Sequence, residues 1–195
     1  MKRIVITGSI STGKSTVSNY LKALGYPLLD ADTIARQVVA PHSQGLSELV
    51  KMFGDEILDS DGKLSREKLG EKIFTNSESK KQVNELLHPL IMAKMNQEII
   101  KLQKEGESVV FLDIPLFYEM ENPPKVDAVW LVYVPVAIQL KRLMKRNKID
   151  EDTAKNLISN QLSIDEKAEW ADAVIKNEGE LEDTYQQVDK LLKKL

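Results

Sequence analysis
At 195 residues, with 42% hydrophobic and 29% charged side chains, the chain suits one globular domain with room for a small insertion. A net charge of −3, with both signs scattered, argues against a broad basic nucleic-acid surface or a polybasic membrane anchor. The lack of cysteine excludes disulfides, cysteine zinc sites and a thiol nucleophile, and it fits a cytoplasmic protein.

Met1-Lys2-Arg3 leads straight into the β-branched run Ile4-Val5-Ile6-Thr7, the composition of a buried strand. No apolar signal region and no run of eighteen apolar residues is present, so neither a leader peptide nor a membrane span is expected. Next comes Gly8-Ser9-Ile10-Ser11-Thr12-Gly13-Lys14-Ser15, which matches the phosphate-binding P-loop G-x-x-x-x-G-K-[ST]. Val17, Tyr20, Leu21 and Leu24 then recur at helical spacing, and Gly25 stops the helix. Strand, loop and helix in this order aim backbone N–H groups at phosphate oxygens. Lys14 is placed to reach the β- and γ-phosphates and the Ser15 hydroxyl to ligate Mg²⁺, so ATP-type nucleotide and Mg²⁺ are the expected ligands.

Residues 26–32 read as a second strand ending in Asp30 and Asp32, followed by a helix over 33–39. Acids at a strand's carboxyl end lie where open α/β sheets bind ligands, or else serve as helix caps. Helices are expected over 45–53, ended by Gly54, and from Leu64-Ser65 onward through Leu69, Ile73 and Phe74, with a turn at 59–62 between them. A long helix over 80–104, capped by Ser77, contains His88-Pro89, where the proline predicts a kink or break.

Val109-Val110-Phe111-Leu112-Asp113 is an apolar strand ending in a carboxylate, the pattern that holds Mg²⁺ opposite a P-loop. A strand follows at 128–134, and Pro135 opens a helix carrying Arg142 and Arg146 four residues apart. That pair is either a phosphate clamp or part of a solvated basic face. Asp150 caps a further helix, residues 173–176 form a last strand, and a C-terminal helix carries Leu181, Tyr185, Val188, Leu191, Leu192 and Leu195 as its core stripe. Alternating units of this kind imply an α/β fold, a mainly parallel sheet with helices on both faces.

Two short matches point elsewhere but lack the right context. Asn147-Lys148-Ile149-Asp150 has the guanine-reading pattern yet follows a basic helix, and Asp59-Ser60-Asp61-Gly62 lies in a polar turn rather than after an apolar strand. A transport or mechanical ATPase would need a glutamate beside Asp113, and none is there. A small-molecule kinase needs an acceptor lobe, a base and a basic closing element, for which residues 41–106, Asp32 and the Arg142/Arg146 helix are candidates.

In these segments the chain resembles the dephospho-CoA kinase family. The likeness runs through Thr7 to Thr16, Asp30-Ala31-Asp32, Asp61-Gly62-Lys63-Leu64-Ser65-Arg66, His88-Pro89-Leu90-Ile91, Asp113-Ile114-Pro115-Leu116 with Glu119, Gln139, Arg142, Arg146, Gln161, and Ala171-Asp172 leading to Asn177 and Gly179. The resemblance implies ATP-dependent phosphorylation of the ribose 3′-hydroxyl of dephospho-CoA, the last step of coenzyme A synthesis. It implies a three-layer P-loop kinase fold with a five-stranded sheet: a core over 1–40, 107–134 and 172–195, a helical CoA-binding region over 41–106, and a lid over 135–171. By the same resemblance Asp32, Lys14 and Arg142 are catalytic. Ser11, Thr12, Gly13, Lys14, Ser15, Thr16, Arg142, Arg146 and Asn177 would bind ATP, with Asn177 near the adenine. Asp32, Arg66, His88, Pro115, Leu116, Tyr118 and Glu119 would line the acceptor site, and Ser15 and Asp113 would hold Mg²⁺. The expected partners are these small molecules, with no nucleic acid, membrane or obligate protein partner. Two departures from the family pattern stand out: Ser9 and Ser11 replace loop glycines, and Phe117-Tyr118-Glu119 replaces a more usual Leu-Phe-Glu.

Overall fold
The computed structural model describes residues 1–74 and 76–195, with the side chain of Phe74, an expected apolar position, outside that description. Two compact units are formed, one from Met1–Leu29 with Leu102–Leu195 and one from Asp30–Lys101.

The first unit is built on a five-stranded sheet of order β2-β3-β1-β4-β5. Its strands are β1 (Lys2–Gly8), β2 (Leu28–Asp30), β3 (Val109–Asp113), β4 (Ala128–Tyr133) and β5 (Ala173–Lys176). The pairings β1–β3, β1–β4 and β4–β5 are all parallel. β1 lies at the centre, as its continuous buried run predicts for a strand covered on both faces. On one face Ile4, Ile6, Phe111, Trp130, Val132 and Ile175 pack with Val17 and Leu21 of α1 (Lys14–Ala23) and Val188 of α9 (Leu181–Leu192). On the alternate positions Val5, Leu112 and Leu131 are also fully buried. The α9 stripe is shorter than its periodicity suggests. Val188 is buried and Leu191 and Leu192 pack on the core, but Leu181 and Leu195 at its two ends are exposed.

Between β4 and β5 run α6 (Val136–Asn147), α7 (Glu151–Ser159) and α8 (Ile164–Trp170). Pro135 takes the cap position of α6 with extended ψ, one residue before the expected first-turn place. Asp150 caps α7 by accepting from Thr153 N at 2.8 Å, which accounts for the apparent guanine motif as a helix boundary.

The second unit contains α2 (Ala31–Val38), α3 (Gln44–Phe53), α4 (Arg66–Phe74) and most of α5 (Ser77–Lys104), around Val39, Leu49, Ile57, Leu69 and Val83. In the turn at 59–62 the Asp59 carboxylate accepts from Asp61 N and Lys63 N. Two expectations are corrected here. α5 starts at Ser77 itself and is capped by Asn76, whose side chain accepts from Glu78 N and Ser79 N. It also runs through Pro89 without a break, one of the two outcomes expected there. In a helix of 28 residues one missing N–H is a local loss, and cooperative propagation carries the helix past it.

Candidate active site
β1 delivers the chain to the phosphate loop and α1 receives it. The reversal depends on two glycines. A Cβ on Gly8 would lie 2.6 Å from Thr12 Oγ1, and one on Gly13 would lie 2.1 Å from Asn177 Nδ2. Gly13 also has φ of +86°, a left-handed backbone that L side chains avoid. Inside the loop Thr12 folds back on Ser9, donating from both N and Oγ1 to the Ser9 carbonyl. Ser11 holds φ of +61°, and its buried hydroxyl has no partner among the described residues. It therefore holds a left-handed backbone that glycine adopts more freely. α1 begins at Lys14 without a side-chain cap, so its first N–H groups face the loop uncapped, the arrangement that attracts phosphate.

Lys14 forms an ion pair with Asp113 at the end of β3. Asp113 is 4% exposed, and its other oxygen accepts from Ser18 Oγ at 2.5 Å. Lys14 and Ser18 stand one helical turn apart on α1, so one helix face grips the carboxylate. Ser15, between them in sequence, is exposed at the helix start. The Asp113 carboxylate and the Ser15 hydroxyl are oxygen donors of the kind a hard cation takes. Thr16 closes the first turn, its N–H bonded to the Gly13 carbonyl at 2.9 Å.

From α6, Arg142 reaches over this loop. It donates to the Thr12 carbonyl at 3.4 Å and to the Asn177 carbonyl at 2.8 Å. Arg146 does not join it. That residue is exposed and bonds to Asn147 Oδ1, so the two arginines have different surroundings despite sharing a helix face. Asn177, just past β5, is 5% exposed and holds the loop from behind: its amide donates to the Thr12 carbonyl at 2.8 Å and accepts from Thr184 Oγ1 at 3.0 Å. Its side chain thus serves loop geometry, which explains why residue 13 must be glycine.

After β3 the chain turns through Pro115, whose carbonyl accepts from Thr7 Oγ1 at 3.1 Å. Leu116 is exposed, Phe117 is buried, and Phe117–Glu119 form a single 3₁₀ turn. The Tyr118 ring meets Phe117 and Trp170 edge-on, at 5.4 and 5.5 Å between centroids. Burial, and next the Asp172 charge, push its phenol above the usual range. Its hydroxyl is buried without a partner among the described residues. Glu119 Oε1 accepts from Lys167 Nζ at 2.5 Å and from Leu162 N at 3.2 Å, whereas Oε2 is buried and unpaired among those residues.

The second unit carries the remaining candidates, each exposed. Asp32 stands in the first turn of α2, Arg66 begins α4 and His88 lies midway along α5. The choice left open between Asp30 and Asp32 is settled by geometry. Asp30 is the cap, accepting from Thr33 N at 2.9 Å, and Asp32 is left free for other use. Two residues of the site carried no assignment in the sequence, Ser18 and Lys167. Ser18 was findable from its i+4 spacing after Lys14. Lys167, in a charged helix, had no local signal of burial.

Comparison with known proteins gives a consistent result. The family model described as dephospho-CoA kinase matches residues 3–183. A dephospho-CoA kinase of Listeria monocytogenes is 45% identical over 187 residues, 96% of this chain and 94% of that one. A solved dephospho-CoA kinase from Campylobacter jejuni superposes with a TM-score of 0.75 at 33% identity, covering 99% of this chain and 96% of the other. A crystal structure from Thermus thermophilus gives a TM-score of 0.84 at 29% identity, covering 100% and 97%.

Proposed function
The chain belongs to the dephospho-CoA kinase family, phosphorylating dephospho-CoA in coenzyme A biosynthesis, and from that premise we propose how its residues share the work. ATP is the phosphoryl donor and the ribose 3′-hydroxyl the acceptor, in the cytoplasm. Among the described residues no helix is long and apolar enough to cross a membrane.

The observation that carries the reading is the Lys14–Asp113 pair at the junction of β3 and α1. Lys14 pairs with the Asp113 carboxylate, and the β- and γ-phosphates of ATP are the anions its ammonium would clamp. Asp113 and Ser15 would hold Mg²⁺, which when bound would neutralise phosphate charge. The loop N–H groups and the Ser11, Thr12 and Thr16 hydroxyls cradle the phosphate oxygens. Arg142 exchanges its two carbonyl partners for phosphate as charge spreads over the transferring group, and Arg146 is a second cation for a closed lid. The CoA moiety is assigned to the helical region over 41–106, with Arg66 and His88 as its contacts there, and Pro115, Leu116, Tyr118 and Glu119 are assigned as further acceptor contacts. Asp32 orients the acceptor hydroxyl and takes its proton. The transfer is loose and depends mostly on positioning, which a carboxylate at the acceptor hydroxyl supplies.

The direct test measures ATP- and Mg²⁺-dependent phosphate transfer to dephospho-CoA against AMP, adenosine, shikimate and no acceptor. Stoichiometric conversion of dephospho-CoA alone is expected. ATP turnover indifferent to every acceptor would sink the reading. Asp32→Asn should lower kcat by about 10²-fold while ATP affinity, from calorimetry, stays near wild type. An equal loss of both would move Asp32 to the nucleotide site.

A further inference from the structure
A lysine taken out of water is costly and persists only where its ammonium is paired and hydrogen-bonded. Lys167, on the inward side of α8, is fully buried. Its Nζ touches two separate elements, donating to Glu119 Oε1 at 2.5 Å and to Ser9 Oγ at 3.1 Å. Ser9 belongs to the phosphate loop and Glu119 to the turn after β3. The preceding residues follow the same route. Ile10 N donates to Gln161 Oε1 at 2.9 Å, and Leu162 N donates to Glu119 Oε1. Residues 161–167 therefore fasten the loop and the turn to one another. An apolar side chain would fill this space without the desolvation cost; an ammonium is required where two oxygens must be held at set positions. Glu119 Oε2, meanwhile, is buried with no partner among the described residues. A carboxylate anchored by one oxygen and spare at the other is ready to accept from a ligand donor.

We propose that Lys167 is a positioning residue for phosphoryl transfer, which ties the phosphate loop through Ser9 to the acceptor turn through Glu119 and so keeps donor and acceptor in register. It touches neither reacting atom. The inference rests on the assignment of Glu119 to the acceptor made above. When the register slips, the loop still binds ATP but the acceptor is misplaced, and water can take its place. A water oxygen then forms the new bond to the γ-phosphorus, the bond to the β–γ bridging oxygen breaks, and ADP, inorganic phosphate and a proton are released. ADP accumulates in excess of coenzyme A.

The test follows ADP and coenzyme A together in wild type, Lys167→Met, Lys167→Arg, Ser9→Gly and Glu119→Gln. For Lys167→Met, coenzyme A formation should fall about tenfold or more at saturating substrates, with KM for ATP little changed and the ADP-to-coenzyme A ratio clearly above wild type. Lys167→Arg should recover most of the coupling. Ser9→Gly removes one contact and leaves the Glu119 pair, so it should give an intermediate ratio, and it decides the question alone if Lys167→Met does not fold. Parallel loss of both products at an unchanged ratio would make Lys167 merely structural and overturn the proposal. Glu119→Gln with an unchanged KM for dephospho-CoA would instead overturn the acceptor assignment beneath it.

Discussion

Lys14 and Gly13 show how closely spaced residues in one loop answer to different constraints. Lys14 is there for charge. Lys14→Ala should lower turnover by about 10²–10³-fold, because a phosphate clamp is lost in a water-poor site. It also leaves Asp113, 4% exposed, with Ser18 as its remaining partner shown here, so the nucleotide-free protein should melt earlier as well. Steady-state kinetics and a thermal melt check the two effects separately, and near-normal turnover would refute the role of Lys14. Gly13 is there for shape. Gly13→Ala adds about 1–2 kcal/mol for left-handed backbone and drives a methyl into Asn177, which holds the Thr12 carbonyl. ATP affinity, by calorimetry, should drop by more than about tenfold, the counterpart of 1.4 kcal/mol or more. Unchanged affinity would mean that Asn177 moves aside freely and does not shape the loop.

At the scale of elements, the sequence was most legible where local chemistry acts alone. The run Ile4-Val5-Ile6-Thr7, the P-loop and the Val109–Asp113 strand could each be read directly, since β-branched composition and loop glycines determine them within a few residues. The break expected at Pro89 does not occur, because the stability of the helix comes from the whole of its length and from the burial of Val83, Met95 and Ile99. The proline still has a cost, since Glu85 lacks its usual N–H donor and the ring crowds that carbonyl. Pro89→Ala should therefore raise the unfolding free energy by up to about 3 kcal/mol in urea titrations. No gain at all would mean that α5 is interrupted at 88–89 in solution, as the dipeptide suggests.

Across the whole molecule, the readable parts of the site were those with a motif, and the unreadable parts were those made by distant pieces meeting. Nothing near Lys167 marks it as the partner of Ser9, 158 residues earlier in the chain, or of Glu119, in the turn after β3. The unequal engagement of Arg142 and Arg146 likewise depends on distant pieces: Arg142 meets the Thr12 and Asn177 carbonyls, whereas Arg146 bonds only to its neighbour Asn147 among the described residues. The same reasoning applies to stability. The cluster around the sheet of the first unit contains Ile4, Ile6, Phe111, Trp130 and Val132 with their helices, whereas the second unit closes on the smaller group of Val39, Leu49, Ile57, Leu69 and Val83. A smaller core opens at lower free energy, so amides over 30–101 should exchange faster than those of β1, β3 and β4. Leu49 is fully buried at the middle of that smaller group. Leu49→Ala should cost about 2–5 kcal/mol by leaving a cavity, and hydrogen exchange should show that loss confined to residues 30–101. Equal loss of protection in β1, β3 and β4 would instead establish that the two units open as one cooperative body, and that acceptor-region stability is set by the sheet.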